Sequence, residues 1–276
     1  MDGILLINKE IGMTSHDVVN RLRKILHIKR IGHSGTLDPQ ASGVLLVMVG
    51  KACKVLPFIE DTDKEYIAKM ILGKRTISDD IWEDVLEEKP ITPIQNFQSI
   101  LDTFKGTIQQ VPPMISSVKV NGKKLYEYAR ANQEVTRPVR TVTIYDIESL
   151  DEKELCFRVS CSSGTYVRSL CHDIAEKTNN LGCMSSLVRT KVGRFSLDDC
   201  VSIKDVEEGN YILHPVTEVL SHYKEIEITD TKDVVNGRKL LLDCTEDEVL
   251  ITCQKEALAI YRREHGHVFG CVRGLW

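Results

Sequence analysis

Apolar residues in this chain come in short runs and in two periods. Ile4 to Ile7 is a four-residue run that predicts one buried strand. Gly12-Met13-Thr14-Ser15 reads as a turn. Thr14 or Ser15 can cap a helix whose apolar positions Val18, Val19, Leu22, Ile25 and Leu26 keep helical spacing. His27 to Ile31 is a basic connector into the glycine-containing stretch 32–43, read as an irregular loop. That loop feeds the run Val44 to Val49, a second buried strand. Glu65 to Gly73 alternates and predicts a strand with Tyr66 near its start. Asn96 to Phe104 predicts a helix ended by Gly106. Pro112-Pro113 makes a rigid entry to a short strand, an Asn121-Gly122 turn and a further helix. Thr141 to Ile147 and Leu155 to Cys161 read as strands. The turn Ser162-Ser163-Gly164 then opens a helix that runs through Cys171, Ile174 and Ala175.

From about residue 222 the texture changes. Val249 to Cys253, Leu258 to Tyr261 and Val268 to Val272 are strand-like, with Asn236-Gly237, Gly266 and Gly270 as turns. This suits a small β-barrel at 223–276 behind a larger domain at 1–222.

Composition narrows the field modestly. A chain of 276 residues holds one large domain and a small one. The net charge of −4 announces no polyanionic partner. Its distribution says more, because basic residues collect in 1–56 and in 117–140 while acid gathers in 60–88 and beyond 200. Such a chain can turn one basic face to a polyanion, although lysines and arginines also simply solvate helices. The nine cysteines include no C-x-x-C pair, which argues against a disulfide framework or zinc site and for reduced thiols in a cytosol. The four apolar residues near the start make neither a signal peptide nor a membrane span.

The chemistry concentrates in Gly32-His33-Ser34-Gly35-Thr36-Leu37-Asp38-Pro39-Gln40-Ala41-Ser42-Gly43. Asp-Pro alone is a common turn opener. A stiff loop with three glycines and a histidine, running into a buried strand, is also where a working carboxylate is held. Tyr66, taken alone, is a packing tyrosine, and Leu187 is core. Arg168, near the start of its helix, would need a carboxylate if buried, and Asp38 is the natural candidate. Lys119, Lys123, Lys124 and Arg130 with Tyr126 and Tyr128 suit either an ordinary hairpin and helix or RNA backbone contact and base stacking.

These segments resemble the motifs of the TruB family, the tRNA pseudouridine-55 synthases. Residues 32–43 match G-H-x-G-x-L-D-P-x-A-x-G. Residues 9–15 match K-P-x-G-x-S/T-S, with Glu10 where the family usually has Pro. Residues 110–130 and the Ser162 to Arg168 segment match two more. Four motifs over roughly residues 3–195 occur in family order. The G-x-x-T-x-T-x-D-x-x-G segment fits loosely at Gly73, Thr76, Ser78 and Asp80. Ile77 and the missing closing glycine depart from it, so no role is carried onto that segment.

The resemblance implies an α+β pseudouridine-synthase fold: a mixed, largely antiparallel central sheet flanked by helices, with a small PUA-like C-terminal barrel. It implies Asp38 as nucleophile, Arg168 as its charge partner and Tyr66 stacking on the base, with a possible part in removing the C5 proton. Tyr166 and Leu187 would shape the pocket, His33 would hold the RNA loop open, and Lys9 would support the catalytic loop. The expected partner is tRNA, at the T-arm and T-loop, for a cytoplasmic monomer without metal or cofactor. A carboxylate suits the reaction because it can attack or stabilise an electron-deficient C1′, as in retaining glycosidases. Two other classes compete: a non-catalytic RNA-folding chaperone of the same fold, and a glycoside- or nucleoside-cleaving enzyme. The second lacks an evident second carboxylate.

Overall fold

The computed structural model describes residues 1–59 and 63–276. In chain order the elements are β1 (Gly3–Lys9), α1 (Ser15–Leu26), β2 (Ile31–Ser34), β3 (Ser42–Val49), β4 (Lys64–Leu72), β5 (Lys74–Thr76), β6 (Val85–Glu88), α2 (Phe97–Asp102), β7 (Gly106–Gln110), β8 (Lys119–Val120), β9 (Lys123–Lys124), α3 (Leu125–Arg130), β10 (Arg140–Asp151), β11 (Cys156–Cys161), α4 (Val167–Lys177), β12 (Gly182–Val192) and β13 (Phe195–Ser196). They are followed by α5 (Ile203–Glu207), β14 (Lys224–Glu227), α6 (Lys232–Val235), β15 (Leu240–Leu241), β16 (Glu248–Cys253), β17 (Glu256–His265) and β18 (Val268–Gly274).

One compact unit comprises Met1–Pro39, Val44–Asp61 and Asp198–Trp276. Helix α1 starts where Thr14 and Asp17 form a reciprocal capping box and stops at His27, whose φ of 55° breaks the helix. Its apolar stripe, Val18, Val19 and Leu22, packs with Leu5, Ile7, Leu45, Val47 and Val49 from the strands and with Ile203 and Val206 of α5. The glycine-containing stretch is a hairpin rather than one long loop. Gly32, His33 and Ser34 belong to β2 and pair antiparallel with Met48, Val47 and Leu46. Only 35–41 is irregular. Cross-strand pairing with an apolar partner overrides the turn-like composition of Gly-His-Ser.

Within the same unit, residues beyond 223 build their own five-stranded sheet in the order β14-β16-β17-β18-β15. Only β14 and β16 run parallel. Val249, Ile251, Ala259, Tyr261, Phe269 and Val234 form its core. Gly270 is not a turn: it lies within β18 opposite Arg262. A side chain there would strike the Glu264 carboxylate.

The other unit comprises Gln40–Gly43 and Thr62–Leu197. Its strands run in the order β12-β4-β11-β10-β7, each pair antiparallel. Ser42 and Gly43, at the start of β3, add a parallel contact to Val188 and Arg189 of β12. Helix α4 packs on β12 and β4, and α2 on β10. The fold is α+β: a mixed, largely antiparallel sheet with helices, and a separate small C-terminal sheet of PUA-like kind.

Candidate active site

The loop carrying Asp38 is held on both sides by neighbours from residues 9–15. On one side, Ser15 Oγ accepts from Leu37 N at 2.9 Å and donates to Leu37 O at 3.2 Å. On the other, Pro39 O accepts from Gly12 N at 2.8 Å and from Lys9 Nζ at 3.2 Å. Lys9 is fully buried, and its ammonium also donates to Glu10 O at 2.9 Å and Met13 O at 2.7 Å. A buried cation is tolerable only when its donors are satisfied, and here three carbonyl dipoles do that. Glu10 in the position of Pro takes nothing away, because its contribution is a backbone carbonyl. Asp38 itself is half-buried, and His33 lies in β2 opposite Val47, also half-buried.

In the other unit, Tyr66 of β4 stands opposite Arg189 of β12, and Ala68 opposite Leu187. Paired residues of antiparallel strands share a face, so Tyr66, Leu187 and Arg189 line the same side. All three are buried, with Arg189 only 1% exposed. Gly43 allows the backbones to meet there. A Cβ at Gly43 would stand 2.1 Å from Arg189 O, at a φ of +108°.

Arg168, on the first turn of α4, is 5% exposed. Its guanidinium donates from Nη1 to Ser78 O at 3.0 Å and from Nη2 to Ile115 O at 2.9 Å. Nη1 also lies 3.5 Å from Asp80 Oδ2. Asp80 is buried as well. Its Oδ1 accepts from Ser78 Oγ at 2.9 Å and from Trp82 N at 3.2 Å, and its backbone pairs with Met184 of β12. Sequence reasoning carried no role onto this segment, yet Asp80 is a carboxylate partner of the buried arginine. The signal was present: Thr76, Ser78 and Asp80 are the positions where the degraded motif still fits. Next to it, Asp79 has a φ of 62°, and burial raises its carboxyl above the usual range.

Tyr166, just before α4, is half-buried. Further out, Tyr126 has Lys124 and Arg130 over its ring, both at 5.4 Å. Lys123 stands 5.8 Å from the Tyr128 ring, and the Tyr128 hydroxyl donates to Val120 O. A cavity of about 620 Å³ between this element and Ile77 is lined by Met114, Ala129 and Val135.

A family model described as TruB family pseudouridylate synthase, N-terminal domain, matches residues 23–167. One described as tRNA pseudouridylate synthase B C-terminal domain matches 168–222. A Geobacillus kaustophilus protein named tRNA pseudouridine synthase B is 45% identical over 261 residues, covering 88% of this chain and 92% of that protein. A Bacillus licheniformis protein of the same name is 46% identical over 257 residues, covering 87% and 83%. Among solved structures, a chain of a Cbf5–Nop10–Gar1 complex shares the fold with a TM-score of 0.73 at 24% identity, over 99% of this chain and 85% of that one. Fold and family models together define the class, the pseudouridylate synthases. Within it, the chain belongs to the TruB family.

Proposed function

We propose that this protein isomerises uridine 55 in the T-loop of tRNA to pseudouridine, with Asp38 acting on a flipped-out uridine. The observation that carries the reading is the bracketed aspartate. Leu37 and Pro39 on either side of Asp38 are fixed by Ser15, Gly12 and Lys9, in a chain 45% identical to a protein named tRNA pseudouridine synthase B. A carboxylate held so rigidly loses little freedom on meeting its substrate.

In the reaction the N1–C1′ bond breaks, the base turns, a C5–C1′ bond forms, the C5 proton leaves and N1 gains one. Asp38 attacks or stabilises the electron-deficient C1′. Arg168 serves as the charge partner of Asp38. Tyr66 stacks on the base and takes part in removing the C5 proton, Tyr166 and Leu187 shape the pocket, and His33 holds the T-loop open once the base has left its stack. Extruding the base costs a few kcal/mol, offset by contacts of the Lys123 to Arg130 element with the RNA. We assign the protein to the cytoplasm as a monomer. Its nine cysteines, with no C-x-x-C pair, suit a reducing compartment, and among the described residues no helix is long and apolar enough to cross a membrane.

The test is tritium release from a tRNA transcript labelled at uridine C5, with the product site mapped. The expected result is release by the parent at the T-loop position and none by Asp38→Asn. Tight tRNA binding without release by either protein would replace the isomerase with an RNA chaperone.

A further inference from the structure

We infer that Gln110, the last residue of β7, is a positioning residue that fixes Arg168 for the reaction proposed above. Gln110 is 2% exposed. Its side-chain amide grips a single residue from both sides: Oε1 accepts from Tyr166 N at 2.7 Å, and Nε2 donates to Tyr166 O at 3.0 Å. The amide orientation follows from the partners, since a backbone N–H can only donate and a carbonyl can only accept.

Tyr166 is the residue from which α4 starts, and it offers no side-chain cap of its own. Helix starts leave orphan donors that a side chain or water normally satisfies. In this helix the Tyr166 N–H is satisfied from another element, by a buried side chain. The Tyr166 carbonyl does double duty, because it also accepts the first intrahelical bond, from Leu170 N at 3.0 Å. Holding Tyr166 therefore sets where the first turn of α4 lies, and Arg168 is on that turn.

The residues after Gln110 complete the frame. Ser169 Oγ donates to Val111 O at 2.8 Å, and Arg168 Nη2 donates to Ile115 O at 2.9 Å. Between those two carbonyls stand Pro112 and Pro113, whose fixed φ angles stiffen the segment. Segment 110–115 and the start of α4 are thus stitched by four hydrogen bonds, and Gln110 makes two of them. Only a residue with one donor and one acceptor at this reach can do so. Leucine has neither, and an ionised glutamate has only acceptors.

The consequence is kinetic. A guanidinium displaced by about 1 Å costs up to about a hundredfold in rate, while RNA held by other residues binds as before. The experiment measures single-turnover pseudouridine formation, tRNA affinity and amide hydrogen exchange for the parent, Gln110→Leu and Gln110→Glu. The expected result is a rate loss of about ten- to a hundredfold in Gln110→Leu, with tRNA affinity within about twofold and faster exchange at the Tyr166 amide. Gln110→Glu keeps an acceptor for Tyr166 N–H and recovers part of the rate. An unchanged rate in both variants overturns the inference, as does an equal loss of rate and affinity. Parent-like protection of the Tyr166 amide in Gln110→Leu overturns it too. This inference rests on the isomerase reading. An inactive parent would overturn that reading, and the exchange measurement would still decide whether Gln110 holds Tyr166.

Discussion

Replacing Asp80 with Asn tests how the buried arginine is held. Arg168 Nη1 and Asp80 Oδ2 lie 3.5 Å apart, with both side chains buried. At that separation a unit charge pair attracts by about 5 kcal/mol at an effective dielectric constant of about 20. Asp80→Asn is nearly isosteric. It keeps an oxygen for Ser78 Oγ and for Trp82 N, so the local turn is spared. Arg168 also retains the carbonyls of Ser78 and Ile115, which recover part of the lost attraction as charge–dipole interaction. Breaking a buried pair by removing one partner generally costs about 3–5 kcal/mol. The retained carbonyls place this case near the lower end, at about 3 kcal/mol. The assay is urea unfolding of parent and variant at pH 7.5, with the slopes compared to confirm that the same surface is exposed. A loss below about 1 kcal/mol at equal slope would refute the reasoning, since the buried guanidinium would then be held without this carboxylate. Asp38→Asn serves as the contrasting variant: it should abolish tritium release while moving the urea midpoint far less.

Lys9→Met removes three charge-assisted hydrogen bonds, each worth about 1.5–3 kcal/mol, but also relieves the several kcal/mol spent in burying an ammonium. The net expectation is about 2 kcal/mol of lost stability with a rate loss approaching about a hundredfold, and full activity in the variant would contradict the loop-support role. Gly43→Ala forces a Cβ against Arg189 O at a positive φ and should destabilise by more than about 3 kcal/mol; a melting-temperature drop under about 2 °C would show that the strands separate cheaply. Asp173 of α4 has its carboxyl raised to about 6, chiefly by burial. A folded-state pKa above the unfolded value means that the native state binds the extra proton between about pH 4 and 6. Asp173 therefore costs stability as pH rises through that window. Asp173→Asn should raise the melting temperature at pH 7.5 and leave it nearly unchanged at pH 4, and equal effects at both would sink this account.

The parts legible in the sequence are those that depend on neighbours along the chain. The runs 4–7 and 44–49, the stripe of α1 and the alternation of β4 encode burial locally, and each element formed where that pattern placed it. The basic hairpin and helix at 119–130 were legible for the same reason, because their ring–cation contacts and the Tyr128 to Val120 bond are all internal to the segment. Where a partner distant in sequence decides, composition misleads. Gly32 to Ser34 read as irregular loop and Gly270 as turn, yet both lie in strands because the opposing strand supplies the hydrogen bonds. The candidate site divides along the same line. Asp38 stands out because Asp-Pro and the glycines around it shape their own loop. Asp80 and Gln110 both fall in motif matches, but neither carries a local mark of its burial, since an acid in a hairpin and a glutamine at a strand end are ordinarily exposed. Their burial follows from Arg168 and Tyr166, 88 and 56 residues further on. A buried cation and an uncapped helix start each create a demand that some distant side chain must meet. From the sequence, the demand of the buried cation points to Asp38; that Asp80 also answers it, and that Gln110 answers the helix start, depends on chain paths that no local pattern encodes.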